Sequence, residues 1–361
     1  MNGLRVEIDL DKISHNTAEL VRRCHGRGMS VTAVTKAMLG APELVTALDA
    51  ADDLGDSRIE NIERMRDSAS TAPMLLLRSP MLSQIRRVVR SATMSANTEQ
   101  DVLTALSTAA REAGVIHDVM LMVELGDLRE GIMPGSLHDL VRHVLSLRDL
   151  RLQGIGTNLA CRNGIEPTDE NMHELSAMVD DVEATFDIEI PIVSGGNSAN
   201  LAWALGPGGN GRVNNLRLGE SILLGREPLH RQPIDGLHTD TVTLVAEVIE
   251  CNRKPTVPWG RSGQNSFGET PETADRGEVW QTILAVGRQD TDTTDLTAPA
   301  GLEILAASSD HLVTATDRRM TPGDELRFQP GYAALLRAMT SPFVEKAFGP
   351  TETVSEATPD Q

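Results

Sequence analysis

Long apolar runs are missing from this chain: nothing in its 361 residues approaches the ~20 needed to cross a membrane. The opening Met1-Asn2-Gly3-Leu4-Arg5 lacks the apolar core of a secretory leader, so a cytoplasmic location is expected. Cysteine is scarce. Cys24, Cys161 and Cys251 are odd in number and far apart, which suggests neither a disulfide framework nor a zinc site and makes a reducing compartment the default. The nine histidines include no HxxxH pair, and no metal site is expected. Positive charge is also in deficit: 33 basic residues against 52 acidic ones leave a net −19. That balance argues against nucleic acid or an anionic membrane as partner, and it is compatible with a cationic ligand. Tyrosine occurs once, at Tyr332, so any role that needs one is confined to a single position.

What is present reads as alternation. Leu4 to Leu10 alternates apolar and polar residues like a half-buried strand, and Asp11 to Arg27 follows as a helix with Ile13, Leu20, Val21 and Cys24 on one face. A strand ending in Lys36 comes next. Further strands are expected at 51–54, 73–77, 93–96, 118–125, 151–157, 190–193 and 214–218, which with the Lys36 strand makes eight. Helices between them have readable starts. Ser57 with Glu60 suggests a capping box, and Thr98, Ser136 and Thr168 are suitable caps. Eight strand–helix units point to a (β/α)8 TIM-type barrel over 11–228, with a doubly wound open sheet as the alternative. The alternative would want a glycine-rich loop after its first strand, and Lys36-Ala37-Met38-Leu39 stands there. After Pro228 the pattern turns to strands, at 241–250, 279–286, 303–307, 312–315 and 325–328, with a long loop from Arg253 to Gly277. A mostly β C-terminal domain over 229–348 is expected, with residues 1–10 packing on it as a strand and 349–361 as a disordered tail.

In a βα barrel the chemistry collects at the C-terminal strand ends. Lys36 stands at one. An ammonium at the mouth of an apolar strand loses hydration, and its amine becomes a better nucleophile, as in Schiff-base lysines; a lysine snorkelling to solvent is the plainer reading. Ser194-Gly195-Gly196-Asn197-Ser198 lies between a strand and a helix, where glycines let the backbone approach a phosphate or simply make a tight turn. The next strand ends in Arg217-Leu218-Gly219-Glu220, and phosphate sites from the last two loops recur in this architecture. Glu124 to Gly131 packs four charges into one loop, as a site or as mutually satisfied charges. Taken together, a lysine after the first strand and a phosphate cradle after the last two suggest pyridoxal phosphate (PLP) across the barrel mouth.

At these residues the chain resembles the alanine racemase-like, fold type III PLP enzymes, and among them the alanine/ornithine racemase family. The resemblance runs from Val6 to Phe348 and is carried by VTAVTK ending in Lys36, LGDSRIENIERM from Leu54, VELGDLREG from Val123, GIGTNLAC from Gly154, VSGGNS from Val193, NNLRLGESILLGRE from Asn214, GRQD from Gly287, ASSDH from Ala307 and MTSPFVEK from Met339. It implies that Lys36 holds PLP and Arg217 faces the pyridine nitrogen. It implies that Arg129 lies near the ring oxygen and the substrate carboxylate, and that Asn158 replaces a histidine beside the ring. Ser198, Gly219 and Glu220 match the phosphate loops, and Tyr332 a phosphate-contacting tyrosine. Two departures stand out. The run Gly287-Arg288-Gln289-Asp290 holds no tyrosine where alanine racemases carry their second acid/base, and Gly40 stands where another tyrosine usually follows the lysine. His311, Cys161, Tyr332 and Arg288 are the candidates for the missing group.

The implied activity is racemisation of an amino acid, with ornithine or another basic one as substrate and Asp127, Glu130, Asp290 and Asp310 as candidates to pair its side-chain ammonium. The alternatives are a non-catalytic PLP-binding homeostasis protein, and a PLP decarboxylase or aldolase on the same fold. The family implies a homodimer in which the β domain completes the neighbour's site.

Overall fold

The computed structural model describes residues 3–68, 70–270 and 274–349. The chain forms two compact units, one of Asp11–Thr239 and one that joins Met1–Leu10 to Asp240–Gln361. Along the chain, β1 (Leu4–Asp9) and α1 (Leu10–His25) lead into the first unit. Its strands are β2 (Ser30–Val34), β3 (Asp53–Asp56), β4 (Met74–Leu76), β5 (Met94–Asn97), β6 (His117–Val123), β7 (Leu150–Thr157), β8 (Ile192–Ser194) and β9 (Asn215–Leu218). The helices alternating with them are α2 (Pro42–Ala47), α3 (Ile59–Asp67), α4 (Ile85–Ser91), α5 (Gln100–Ala113), α6 (Leu137–Ser146), α7 (Asp169–Phe186), α8 (Leu201–Ala204) and α9 (Glu220–Leu224).

Strands β2 to β9 pair in parallel and close, β9 returning to β2 through Val31 opposite Leu216. This is the eight-stranded barrel that the alternation implies. Strands covered on both faces read as continuous apolar runs, and Val119 to Val123 of β6 is buried throughout. The strands start or end a few residues from the sequence reading. Ala51 and Asp52 belong to the turn before β3, where the Asp52 carboxylate accepts from the Val31 amide at 2.7 Å. The Ser57–Glu60 capping box does not form. Asp56 takes the place of Ser57, accepting from the Arg58 amide at 2.9 Å, while Glu60 turns outward to Gln84 and Arg87. Nor does Thr98 cap α5: its hydroxyl meets Ser79 at 3.2 Å instead. Thr168 does cap α7, in a box with Asn171. Residues 229–239, which the change of pattern at Pro228 assigns to the β domain, belong with the barrel. The Asn16 amide of α1 donates to His238 O at 2.9 Å and Ile222 O at 3.1 Å, and His15 Nε2 lies 2.9 Å from Gly236 O.

The second unit is an eight-stranded sheet of β1, β10 (Val242–Pro255), β11 (Glu278–Leu284), β12 (Leu296–Thr297), β13 (Leu302–Ala307), β14 (Leu312–Thr316), β15 (Glu325–Pro330) and β16 (Glu345–Gly349), with α10 (Tyr332–Thr340) before the last strand. β1 runs antiparallel to β10 and parallel to β16. The sequence reading omits β12, β16 and α10. β12 is two residues long and β16 is half-buried after its exposed first residue, so neither shows a period. α10 does carry one, in Ala334, Leu335, Ala338 and Met339. The tail expected from Gly349 lies, beyond that residue, outside the described residues. Among the described residues no helix is long and apolar enough to cross a membrane.

Candidate active site at the barrel mouth

Lys36 sits one residue beyond the fully buried Thr35, where β2 gives way to a 3-10 turn. The turn is tied down: Thr35 N donates to Gly55 O at 2.9 Å, Met38 N to Thr35 O at 2.9 Å, and Arg64 Nη1 to Leu39 O at 2.8 Å. The Lys36 side chain, half-buried, makes no hydrogen bond or ion pair among the described residues. A rigid backbone thus presents an uncommitted amine at the mouth.

The loops after β8 and β9 are joined through Ser198. Its Oγ accepts from the Gly219 amide at 3.3 Å and the Ser221 amide at 3.2 Å, and lies 2.9 Å from Ser221 Oγ. Two glycines permit this approach. Gly196 has φ +145°, and a Cβ there would fall 2.0 Å from Asn200 Oδ1; a Cβ on Gly219 would come within 3.1 Å of Val34 Cβ. Glu220 pairs its carboxylate with Arg231, which leaves its backbone to line the loop.

Arg217 is wholly buried beneath these loops, and burial pushes its pKa down to about 10. Its Nη2 donates to Thr157 O at 2.6 Å and its Nη1 to Ser194 Oγ. The sequence reading places Ser194 in the phosphate loop, where it is the first residue. Its hydroxyl is buried and orients the arginine. Asn158 accepts from Asn197 Nδ2 at 3.2 Å, and that amide also reaches the exposed Cys161 Sγ at 3.4 Å. Asn158 Nδ2 is a buried donor with no partner.

The loop after β6 satisfies most of its own charge. Glu124 accepts from the amides of Gly126, Leu128 and Arg129 at 2.6 to 3.1 Å. Asp127 was expected at the substrate, but it is fully buried and accepts from the Asn163 amide at 2.9 Å and the Arg162 amide at 3.0 Å. It ties this loop to the one after β7. Arg129 is exposed, and Glu130 accepts one long bond, 3.4 Å from Ser79 N.

The remaining candidates cluster in the β unit. Asp290 is 3% exposed and accepts from Gly287 N at 3.1 Å and Ser341 Oγ at 3.3 Å, so it braces its own turn and is no free substrate ligand. Asp310 accepts from Ser309 Oγ at 2.7 Å and Gln289 Nε2 at 2.5 Å. His311 lies next to it in the β13–β14 turn, with Nδ1 3.3 Å from Ser308 Oγ. Arg288 is ruled out as an acid/base: Glu269 holds both its Nη atoms at 2.9 and 3.0 Å, Phe267 lies under it at 4.1 Å, and the Glu269 pairing raises its pKa. Tyr332 begins α10, half-buried. Sequence reasoning gave no role to Ser221, Asn61 or Asp56, although the runs NNLRLGESILLGRE and LGDSRIEN contain them.

Residues 8–227 match the model of the alanine racemase N-terminal domain. This chain belongs to the alanine racemase family. It is 37% identical over 350 residues to an ornithine racemase of Acetoanaerobium sticklandii, covering 95% of this chain and 98% of that one. It is 38% identical over 356 residues to a lysine racemase of Thermotoga maritima, covering 96% and 99%. Among solved structures it superposes on an alanine racemase from Streptomyces lavendulae with a TM-score of 0.76 at 17% identity, covering 96% and 97%. A D-threonine aldolase from Filomicrobium marinum gives 0.73 at 15%, covering 94% and 88%. Likeness at that identity speaks of the fold alone. The enzyme is a PLP-dependent amino-acid racemase. Its residues fit that cofactor: Lys36 is an uncommitted amine and Asn158 Nδ2 an orphaned donor.

Proposed function

We propose that this enzyme interconverts the enantiomers of a basic amino acid, ornithine or lysine. The near full-length similarity to racemases of both carries the reading. The barrel mouth agrees with it. Once Asp127 is spent on the β7 loop, Glu130 is the mouth carboxylate with the least committed oxygens, and it takes the distal ammonium. Arg129, exposed beside it, takes the α-carboxylate.

Lys36 would hold PLP, the Ser198–Gly219 loops would hold its phosphate, and Arg217 and Asn158 would serve its ring. PLP, when bound, supplies the electron sink that makes the substrate's α-hydrogen acidic. An arginine facing a ring nitrogen donates without giving up its proton, which tempers that sink and suits return of the proton over other outcomes. The Lys36 amine moves the α-proton on one face of the substrate. For the other face we propose Cys161, which stands at the same mouth, with His311 of the β unit as the second candidate. The working form is a cytoplasmic homodimer whose β domain completes the neighbour's site. Tyr332 serves the phosphate there, and Asp310 borders the substrate.

The test is α-hydrogen exchange in deuterated water across a panel of amino acids, with products resolved by chirality. Exchange and racemisation should be fastest for ornithine or lysine. No exchange with any amino acid would leave only a PLP-binding role, and decarboxylated or cleaved products would point to the other chemistries. Cys161→Ala should keep exchange of one enantiomer while racemisation is lost; if His311→Ala alone does this, the assignment moves to His311.

A further inference from the structure

The residue before Lys36, Thr35, is fastened to the next strand, and the fastening converges on one carboxylate. Asp56 ends β3 with no exposure to solvent. Its Oδ2 accepts from Thr35 Oγ1 at 2.7 Å, and its Oδ1 accepts from Arg58 N and Asn61 Nδ2, both at 2.9 Å. Arg58 N and Asn61 Nδ2 can only donate, and the Thr35 hydroxyl donates to the other oxygen, so the ionised carboxylate satisfies all three. The Thr35 hydroxyl has a second acceptor in Gly55 O, but that contact is longer at 3.3 Å. The far end of the turn rests on the same support. Gly40 has φ +60°, and a Cβ there would fall 2.6 Å from Asn61 O.

A buried carboxylate is costly unless donors meet it, and here three do. Burial does push the Asp56 carboxyl upward, against the pull of Thr35, Arg58 N, Asn61 and the charge of Lys36. We propose that Asp56 is a positioning residue for Lys36: it locks Thr35, and through Thr35 the direction in which the lysine leaves the barrel. This role does not require Asp56 to touch substrate or cofactor.

Two substitutions test this. Thr35→Val removes the bond from Asp56 to the residue that precedes the lysine, and Asp56→Asn turns an amide donor toward one of three donors. Cofactor-free enzyme is mixed with PLP, and the rise of the near-UV/visible band of lysine-bound PLP is followed. Thr35→Val should slow capture about tenfold, and Thr35→Ser should restore the rate. Asp56→Asn should slow capture as well. Circular dichroism confirms that each variant is folded, and Thr35→Val carries the test if Asp56→Asn is not. Wild-type capture rates in both variants, or a Thr35→Ser rate as slow as that of Thr35→Val, overturn the proposal. Absence of the band from the wild-type enzyme would instead overturn PLP binding by Lys36.

Discussion

Acid should weaken this barrel through one histidine. His117 opens β6 and is 2% exposed. The Asn97 amide donates to Ser95 Oγ at 3.0 Å, which leaves the serine proton for His117 Nε2, 2.9 Å away. Burial pushes the His117 pKa down to about 4 from an ordinary 6.5, and neighbouring Asp118 only partly offsets this. Above pH 6.5 the ring is neutral in the folded and the unfolded chain, and it contributes nothing to the pH dependence. As pH falls below 6.5, the unfolded chain binds a proton that the folded chain refuses. Stability therefore drops until about pH 4, where the folded protein also accepts the proton. At ~1.4 kcal/mol per pH unit that separation is worth about 3 kcal/mol. His117→Gln cannot take up the proton. Urea unfolding of both proteins, followed by far-UV circular dichroism at pH 7 and pH 4, gives the comparison. The wild type should lose about 3 kcal/mol more than the variant over that interval. Equal losses would refute the argument, because all other titrating groups are common to the two proteins.

Other consequences concern the site. Ser194→Ala leaves a buried guanidinium Nη1 without its acceptor, and should lower stability by about 1 to 3 kcal/mol in thermal or urea unfolding. Gly196→Ala places a Cβ on Asn200 Oδ1 at a backbone angle that disfavours side chains, so its Kd for PLP by equilibrium dialysis should rise at least ~10-fold. An unchanged Kd would show that this loop does not form the cradle. Lys36→Ala should lack the cofactor's absorbance band and all racemisation.

How much of this was legible beforehand follows from where the signal lives. Strand and helix periods are local, so the eight barrel strands, the β-rich remainder and Lys36 at a strand end could be read from the sequence. Short or half-exposed elements such as β12 and β16 carry no period and were not. Loop motifs singled out VSGGNS and LRLGES, two loops that meet through Ser198, because glycine and small polar residues mark where a backbone must come close to something. The motifs also named the family, and with it the cofactor.

Roles within those neighbourhoods belonged to the tertiary structure alone. An aspartate reads the same in a sequence whether it faces substrate or is consumed by amides. Folding spent Asp127 on the amides of Arg162 and Asn163, Asp290 on its own turn and Ser194 on Arg217. It left Lys36 uncommitted and brought Asp56, from the adjacent strand, under the residue that precedes it. Hydrogen-bonding capacity is finite and is allotted between residues distant in sequence. Composition and spacing declare which groups exist, and only the fold decides which of them remain free to react.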